Sequence, residues 1–69
     1  MIRLPIKARN KVKIYARDGY HVAAICYNIG RQRYIKYNGA ASGRPISEAD
    51  FETLEKNSEM SRRRRARYA

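Results

Sequence analysis

The chain has 69 residues, of which 16 are Lys or Arg and six are Asp or Glu, so its formal net charge at pH 7 is +10. A chain of this length forms one domain near the lower size limit for independent folding, which excludes a deep substrate cleft. The single cysteine and single histidine exclude an internal disulfide and a four-ligand zinc site, and no cofactor is expected. The large positive charge indicates a polyanionic partner, in the first place nucleic acid.

Residues 1–10 are predicted to form a basic N-terminal arm or a short edge strand. The apolar residues Ile2, Leu4 and Ile6 alternate there, but Pro5 lacks a backbone donor and confines any strand to a sheet edge. The arm has no apolar segment of the kind found in signal peptides, and no part of the chain is apolar enough to span a membrane. We therefore expect a cytoplasmic protein with no membrane partner.

The next part of the chain predicts an antiparallel β-meander. Alternating or β-branched segments are separated by Asp18-Gly19, which suits a two-residue type I′ turn, and by a three-residue loop that ends at Gly30. The predicted strands are residues 11–17, 20–27 and 31–37.

A helix is predicted to follow a flexible connector at residues 38–45. Ser47 is a suitable N-cap, Asp50 can complete a capping box, and Ile46 and Phe51 are spaced as a hydrophobic staple. The helix is expected to end between residues 57 and 60. The acidic residues of this segment are explained by the helix start and by a solvated face, although a functional acidic patch is the alternative. The fold class is therefore α+β: three antiparallel strands packed on one C-terminal helix, in a domain spanning residues 11–60.

Turn geometry sorts the strand residues onto two faces, because directly paired residues share a face. One face is apolar and is expected to receive the helix. Its predicted members are Val12, Ile14, Ala16, His21, Ala23, Ile25, Arg33, Ile35 and Tyr37.

The opposite face combines cations, an amide and phenols with small residues along the middle strand. Lys and Arg can neutralise phosphates, Tyr can stack on bases, and Gln or Arg can bind base edges. An ordinary solvated sheet face is the alternative interpretation. The predicted members are Lys13, Tyr15, Arg17, Tyr20, Val22, Ala24, Cys26, Gln32, Tyr34 and Lys36.

Residues 61–69 are predicted to be a disordered basic tail, because neighbouring cations repel one another and nothing apolar is buried. Such a tail would bind phosphates through counterion release, without reading sequence. A helical continuation on binding phosphates and a purely solubilising role are the alternatives. The arginines concerned are Arg62, Arg63, Arg64, Arg65 and Arg67.

The order hairpin, third strand, helix over about residues 11–60 resembles the small DNA-binding modules of the arm-binding domains of phage tyrosine recombinases and of AP2-type domains. The resemblance rests on the spacing of strands and turns, without a diagnostic motif. It implies a phage-type regulator whose sheet enters the major groove and whose helix backs the sheet. The residues facing DNA would then be Lys13, Tyr15, Arg17, Gln32, Tyr34 and Lys36.

These observations predict a small non-enzymatic nucleic-acid-binding protein, with duplex DNA favoured over RNA and a nucleoid-associated location. No catalytic or metal site is expected, because His21 has no partner except Asp18, which the turn already explains. The alternative is a protein-binding inhibitor or adaptor that attaches to an acidic surface. The thin apolar stripe of the helix also suggests a homodimer.

Overall fold

The computed structural model describes residues 3–68, with side chains described through Arg64. Its described part has one antiparallel sheet in the order β1-β2-β3-β4 and one helix, which confirms the α+β prediction. A two-residue fourth strand, in the predicted connector, pairs with the third strand. The elements are β1 (Arg9–Tyr15), β2 (Val22–Ile29), β3 (Gln32–Tyr37), β4 (Arg44–Pro45) and α1 (Glu48–Tyr68).

Helix α1 crosses one face of the sheet diagonally. Near its start, Glu48 Oε1 accepts a hydrogen bond from Arg33 Nε at 2.9 Å, and the Arg33 guanidinium lies 3.9 Å from the centre of the Phe51 ring. Two helical turns after Phe51, Ser58 Oγ accepts a hydrogen bond from the Tyr15 backbone N–H at 2.8 Å. Because Arg33 and Tyr15 lie at opposite ends of the sheet, α1 runs from the β2–β3 end to the β1–β2 end.

The core lies between the sheet and the first half of the helix. Apart from Phe51, its buried side chains are small or branched, as expected for a chain that can bury only a limited apolar surface. Ser58 is also buried, at 5 % exposed, and its hydroxyl accepts the hydrogen bond from the Tyr15 backbone N–H of β1. The buried cluster is Ile14, Ala24, Cys26, Ile35 and Phe51, with Val12, Ile46 and Leu54 packed against it.

The turn at Asp18-Gly19 is not the predicted type I′ turn. Such a turn needs a positive φ at both central residues, whereas Gly19 has a positive φ of 69° and Asp18 does not. The Gly19 N–H donates to the Ala16 backbone oxygen at 2.9 Å.

A β-bulge shifts β2 by one residue relative to the predicted register. Tyr15 pairs with Val22 as predicted, but the next residue of β1, Ile14, pairs with Ala24. Ala23 is therefore the extra residue. Since successive side chains of a strand point to opposite faces, this single insertion exchanges the faces of the rest of β2.

The predicted faces of the middle strand are consequently wrong. Ala23 and Ile25 were expected against the helix, whereas Ala24 and Cys26 are the fully buried residues there. The face away from the helix, here called the outer face, thus carries larger side chains on β2 than expected.

Ile35 of β3 still lies on the helix side as predicted, because a second change of register compensates for the bulge. The predicted three-residue loop ending at Gly30 is wrong: Ile29 pairs with Gln32, so the loop is Gly30-Arg31.

Helix α1 is also longer than the sequence indicated, since it continues through Tyr68 across the segment predicted to be a disordered tail. Arginine is a good helix former, and cations near a helix C-terminus interact favourably with the helix dipole. In addition, Arg63 Nη2 lies 2.8 Å from Glu59 Oε1 one turn earlier. These local preferences offset the repulsion between neighbouring arginines.

Candidate nucleic-acid interface

The outer face holds several predicted contact residues, but two of them are half-buried and already engaged. Lys36 Nζ donates a hydrogen bond to the backbone oxygen of Arg3 at 2.7 Å, which fixes the N-terminal arm to this face. Tyr34 stacks on Tyr27, with ring centres 5.6 Å apart and an angle of 15° between the rings. Neither side chain is therefore freely available to a ligand.

Tyr27 is the outer-face residue that sequence reasoning missed. It is only 3 % exposed, and its hydroxyl lies against the backbone of Gly43 in the connector. Burial raises the pKa of the Tyr27 phenol, so it stays neutral at physiological pH. The sequence did place Tyr27 in the second strand. Its face could not be assigned without knowing of the bulge at Ala23.

Lys13 and Gln32 are exposed on the outer face, yet they lie far apart. Lys13 pairs with Ile25 and Gln32 pairs with Ile29, which separates them by about 13 Å along β2. The Gln32 amide also donates to the backbone oxygen of its neighbour Arg33 at 3.0 Å. The outer face therefore offers scattered polar groups, without a compact binding cluster.

A compact group of predicted residues forms instead at the β1–β2 end of the molecule, and we call it the basic corner. Ten residues of α1 follow Ser58, a length of about 15 Å at the usual helical rise. This part of α1 contains the arginines and extends past Ser58, which is hydrogen-bonded to the end of β1. The β1–β2 hairpin lies beside it. The basic corner consists of Tyr15, Arg17, Arg62, Arg63 and Arg64.

Contacts between helix and hairpin define the basic corner. The Arg62 guanidinium lies 4.9 Å from the centre of the Tyr15 ring, a cation–π contact. Arg17 and Arg64 line one shallow groove of ≈ 410 Å³, together with Asn57, Met60 and Ser61. Since the Arg62, Arg63 and Arg64 side chains are all exposed, the corner presents several guanidinium groups to solvent.

The hairpin tip that carries Arg17 is held by the Asp18 carboxylate. Asp18 Oδ1 accepts hydrogen bonds from the backbone N–H groups of Tyr20 at 2.8 Å and His21 at 3.0 Å. His21 Nδ1 lies 2.5 Å from Asp18 Oδ2. The pKa of Asp18 is lowered to about 2, most of all by the hydrogen bond from the His21 ring and next by those two backbone hydrogen bonds. Asp18 is thus ionised at neutral pH and stabilises the turn. Tyr20, next to it in the turn, is 63 % exposed.

The acidic residues lie on a different surface of the helix. Glu52, Glu55 and Glu59 recur at helical spacing and line a common groove of ≈ 460 Å³ with Lys56. Only Glu59 reaches an arginine of the basic corner, through its ion pair with Arg63. The helix therefore separates an acidic face near its start from a basic end.

Other chemistry is limited in the described part of the chain. No group of three or more His, Cys, Asp or Glu side chains is placed there to hold a metal ion. Burial raises the pKa of the Cys26 thiol, which makes it a poor nucleophile. No helix within residues 3–68 has the apolar length that crossing a membrane requires.

Two predicted contact residues, Arg65 and Arg67, have side chains that lie outside the described residues. No family model, curated protein or solved structure matches the chain. The likeness to recombinase arm-binding and AP2-type modules therefore remains one of element order alone.

Proposed function

We propose that this protein binds duplex nucleic acid, DNA in preference to RNA, through the basic corner, and that it is not an enzyme. The observation that carries the proposal is the continuation of α1 past Ser58 with Arg62, Arg63 and Arg64 exposed next to Arg17. A DNA-binding role would place the protein in the cytoplasm, associated with the nucleoid.

Charge supports a polyanionic ligand. The basic corner carries four guanidinium groups, on a chain whose net charge is +10. Arginine forms paired hydrogen bonds with phosphate oxygens, and each phosphate neutralised on a duplex releases counterions. The corner therefore supplies both a long-range attraction and short-range phosphate contacts.

The shape of the corner favours a duplex over a single strand. An α-helix with its side chains is about 10–12 Å across, which matches the major groove of B-DNA at about 12 Å. The major groove of A-form RNA is too narrow for such an element. Single-strand binding relies on open aromatic platforms, whereas Tyr27 and Tyr34 on the outer face stack on each other.

Relative to the sequence-based hypothesis, the proposal moves recognition from the sheet face to the helix and hairpin. Lys13 and Gln32 on the outer face, and Tyr20 at the hairpin tip, would make flanking contacts. Lys36 and Tyr34 would contribute little, because both are half-buried and have partners within the chain.

The test compares duplex and single-stranded oligonucleotides of the same sequence, by fluorescence anisotropy over a range of salt concentrations. The corner variant R62Q/R63Q/R64Q removes three charges while keeping good helix formers. A matched control, R31Q/R44Q/K56Q, removes three exposed charges outside the corner.

We expect the chain to bind the duplex more tightly than the single strand. In the corner variant the dependence of log affinity on log salt should fall by about 0.9 for each lost phosphate contact. The control should keep most of the wild-type dependence. Absence of duplex binding at low salt, or equal losses in the two variants, would overturn the proposal.

A further inference from the structure

The three described arginines of the helix end are in different surroundings. Arg63 is paired with Glu59 at 2.8 Å. Arg64 lines the shallow groove shared with Arg17. Arg62 alone has its guanidinium over an aromatic ring, that of Tyr15, at 4.9 Å. Within the described residues no carboxylate pairs with Arg62.

The ring beneath Arg62 is itself held in place. Tyr15 ends β1, its backbone N–H donates to Ser58 Oγ at 2.8 Å, and its side chain is half-buried. Ser58 lies one helical turn before Arg62, so the same turn of α1 fixes both the platform and the cation. A guanidinium stacked on a ring loses little hydrogen-bonding capacity, because its N–H groups lie in its own plane.

We propose that Arg62 reads guanine on the major-groove edge of duplex DNA, and that Tyr15 is the positioning residue that aims it. This inference rests on the proposed function. The paired acceptors O6 and N7 of guanine match the fork of an arginine, and this is the commonest specific contact between a protein and a base. Restricting the Arg62 rotamers in advance lowers the entropy lost on binding.

The neighbouring arginines are less suited to this role. The Arg63 fork is occupied by Glu59, and it would have to break that pair before binding a base. Arg64 lies with Arg17 in an open groove, an arrangement suited to the diffuse charge of phosphates. The corner would therefore divide into one base-reading arginine and several phosphate-binding ones.

The experiment uses two short G·C-rich duplexes of the same sequence, one of them with 7-deazaguanine in place of guanine. The replacement removes the N7 acceptor and leaves the charge and the Watson–Crick pairs unchanged. Affinities are measured for the full chain and for R62K, R64K, Y15F and Y15A. R62K keeps the positive charge but loses the planar fork, and R64K is its matched control.

We expect the wild type to prefer the guanine duplex by about 10-fold, the scale of a bidentate base contact. R62K should reduce this preference without a change in salt dependence, because an ammonium lacks the planar fork, whereas R64K should keep it. Y15F, which retains the ring, should keep the preference, and Y15A should reduce it. Circular dichroism would verify that each variant is folded.

Two results would overturn the inference, and they are distinguishable from failure of the proposed function. Equal wild-type affinity for both duplexes would mean that Arg62 reads no base, while DNA binding itself would stand. Loss of the preference in R64K but not in R62K would assign base reading to Arg64 and not to Arg62. Absence of binding to either duplex at low salt would remove the proposed function together with the inference.

Discussion

Gly43 lies against the hydroxyl of Tyr27, a side chain that is 3 % exposed and stacked on Tyr34. A Cβ at position 43 would run into that hydroxyl and would lie 3.1 Å from the ring carbon that carries it. Because the ring is buried and stacked on Tyr34, we expect G43A to lower the free energy of unfolding by about 1–3 kcal/mol, as overpacking usually does. Urea denaturation monitored by circular dichroism measures the change.

A double-mutant cycle separates this clash from the loss of glycine flexibility. Y27F removes the hydroxyl that meets the new Cβ, so G43A should cost less in the Y27F background than in the wild type. If the cost of G43A is the same in both backgrounds, the contact between Gly43 and Tyr27 is not its cause.

The hairpin tip should show a pH dependence that comes from Asp18. Its pKa is lowered from 3.8 to about 2, chiefly by the hydrogen bond from His21. A depressed carboxyl pKa stabilises the folded state above the unfolded-state value, and this contribution is lost as the pH falls from about 4 towards 2. In H21Q we expect the Asp18 pKa to rise but to remain below 3.8, because the backbone N–H donors of Tyr20 and of residue 21 remain. Carboxyl ¹³C NMR titration measures it, and an unchanged value in H21Q would contradict the assigned cause.

At the scale of elements, Ser58 joins the helix to the sheet. Its hydroxyl, on a residue 5 % exposed, is the acceptor for the Tyr15 backbone N–H. S58A would leave that donor without its partner, and we expect a loss of about 1–3 kcal/mol in the free energy of unfolding. S61A, one turn later at a half-buried position, is the matched control and should change stability by less than about 0.5 kcal/mol. Equal effects of the two substitutions would show that the hydrogen bond contributes nothing.

The elements themselves could be predicted because their signals are local. Alternation and the Ser47 cap act over a few residues, and Ser47 Oγ does accept the Asp50 N–H at 3.2 Å. The Asp18-Gly19 pair likewise marks the place of a turn, although not its type. The bulge at Ala23 has no such local signal, because it depends on how β2 packs against the helix while it pairs with both neighbouring strands. One unpredicted residue was enough to reverse the faces of β2.

A second irregularity at the other end of β1 has the same character. Arg9 pairs with Asn28 and Val12 with Cys26, so β1 contains one extra residue between them. Asn10 adopts a left-handed φ of 52° there, a conformation that Asn tolerates better than most residues. The two bulges offset each other, which returns the ladder to its original register. Asparagine is compatible with this conformation but does not require it, so the sequence alone could not locate the insertion.

At the scale of the whole molecule, composition leads to the hypothesis of a polyanionic partner, but it carries no information about the surface that would bind one. The charge of +10 is independent of the fold. The meeting of Arg17 with Arg64 requires the diagonal path of α1, which is set by Arg33 and Glu48 at one end and by Ser58 at the other. Those contacts join residues far apart in the chain, and strand periodicity carries no information about them.

The same geometry predicts that folding and binding can be separated. Every member of the buried cluster precedes Ser61, and the described side chains after it, Arg62 to Arg64, are exposed. A chain ending at Ser61 should therefore keep its fold and lose at most about 1 kcal/mol of stability, the worth of an exposed cation–π contact with Tyr15. Thermal unfolding measures this change.

DNA binding by the same shortened chain should be much weaker, because most of the basic corner is gone. The slope of log affinity against log salt should fall by about 0.9 for each phosphate that the removed arginines contacted. The full-length control R31Q/R44Q/K56Q should retain its slope, since those cations lie outside the corner. A shortened chain that is folded and binds duplex DNA with the wild-type slope would show that the phosphate contacts come from the sheet and the arm. A shortened chain that does not fold would show that the end of the helix contributes to the core as well as to the corner, because stability and salt dependence would then fall together.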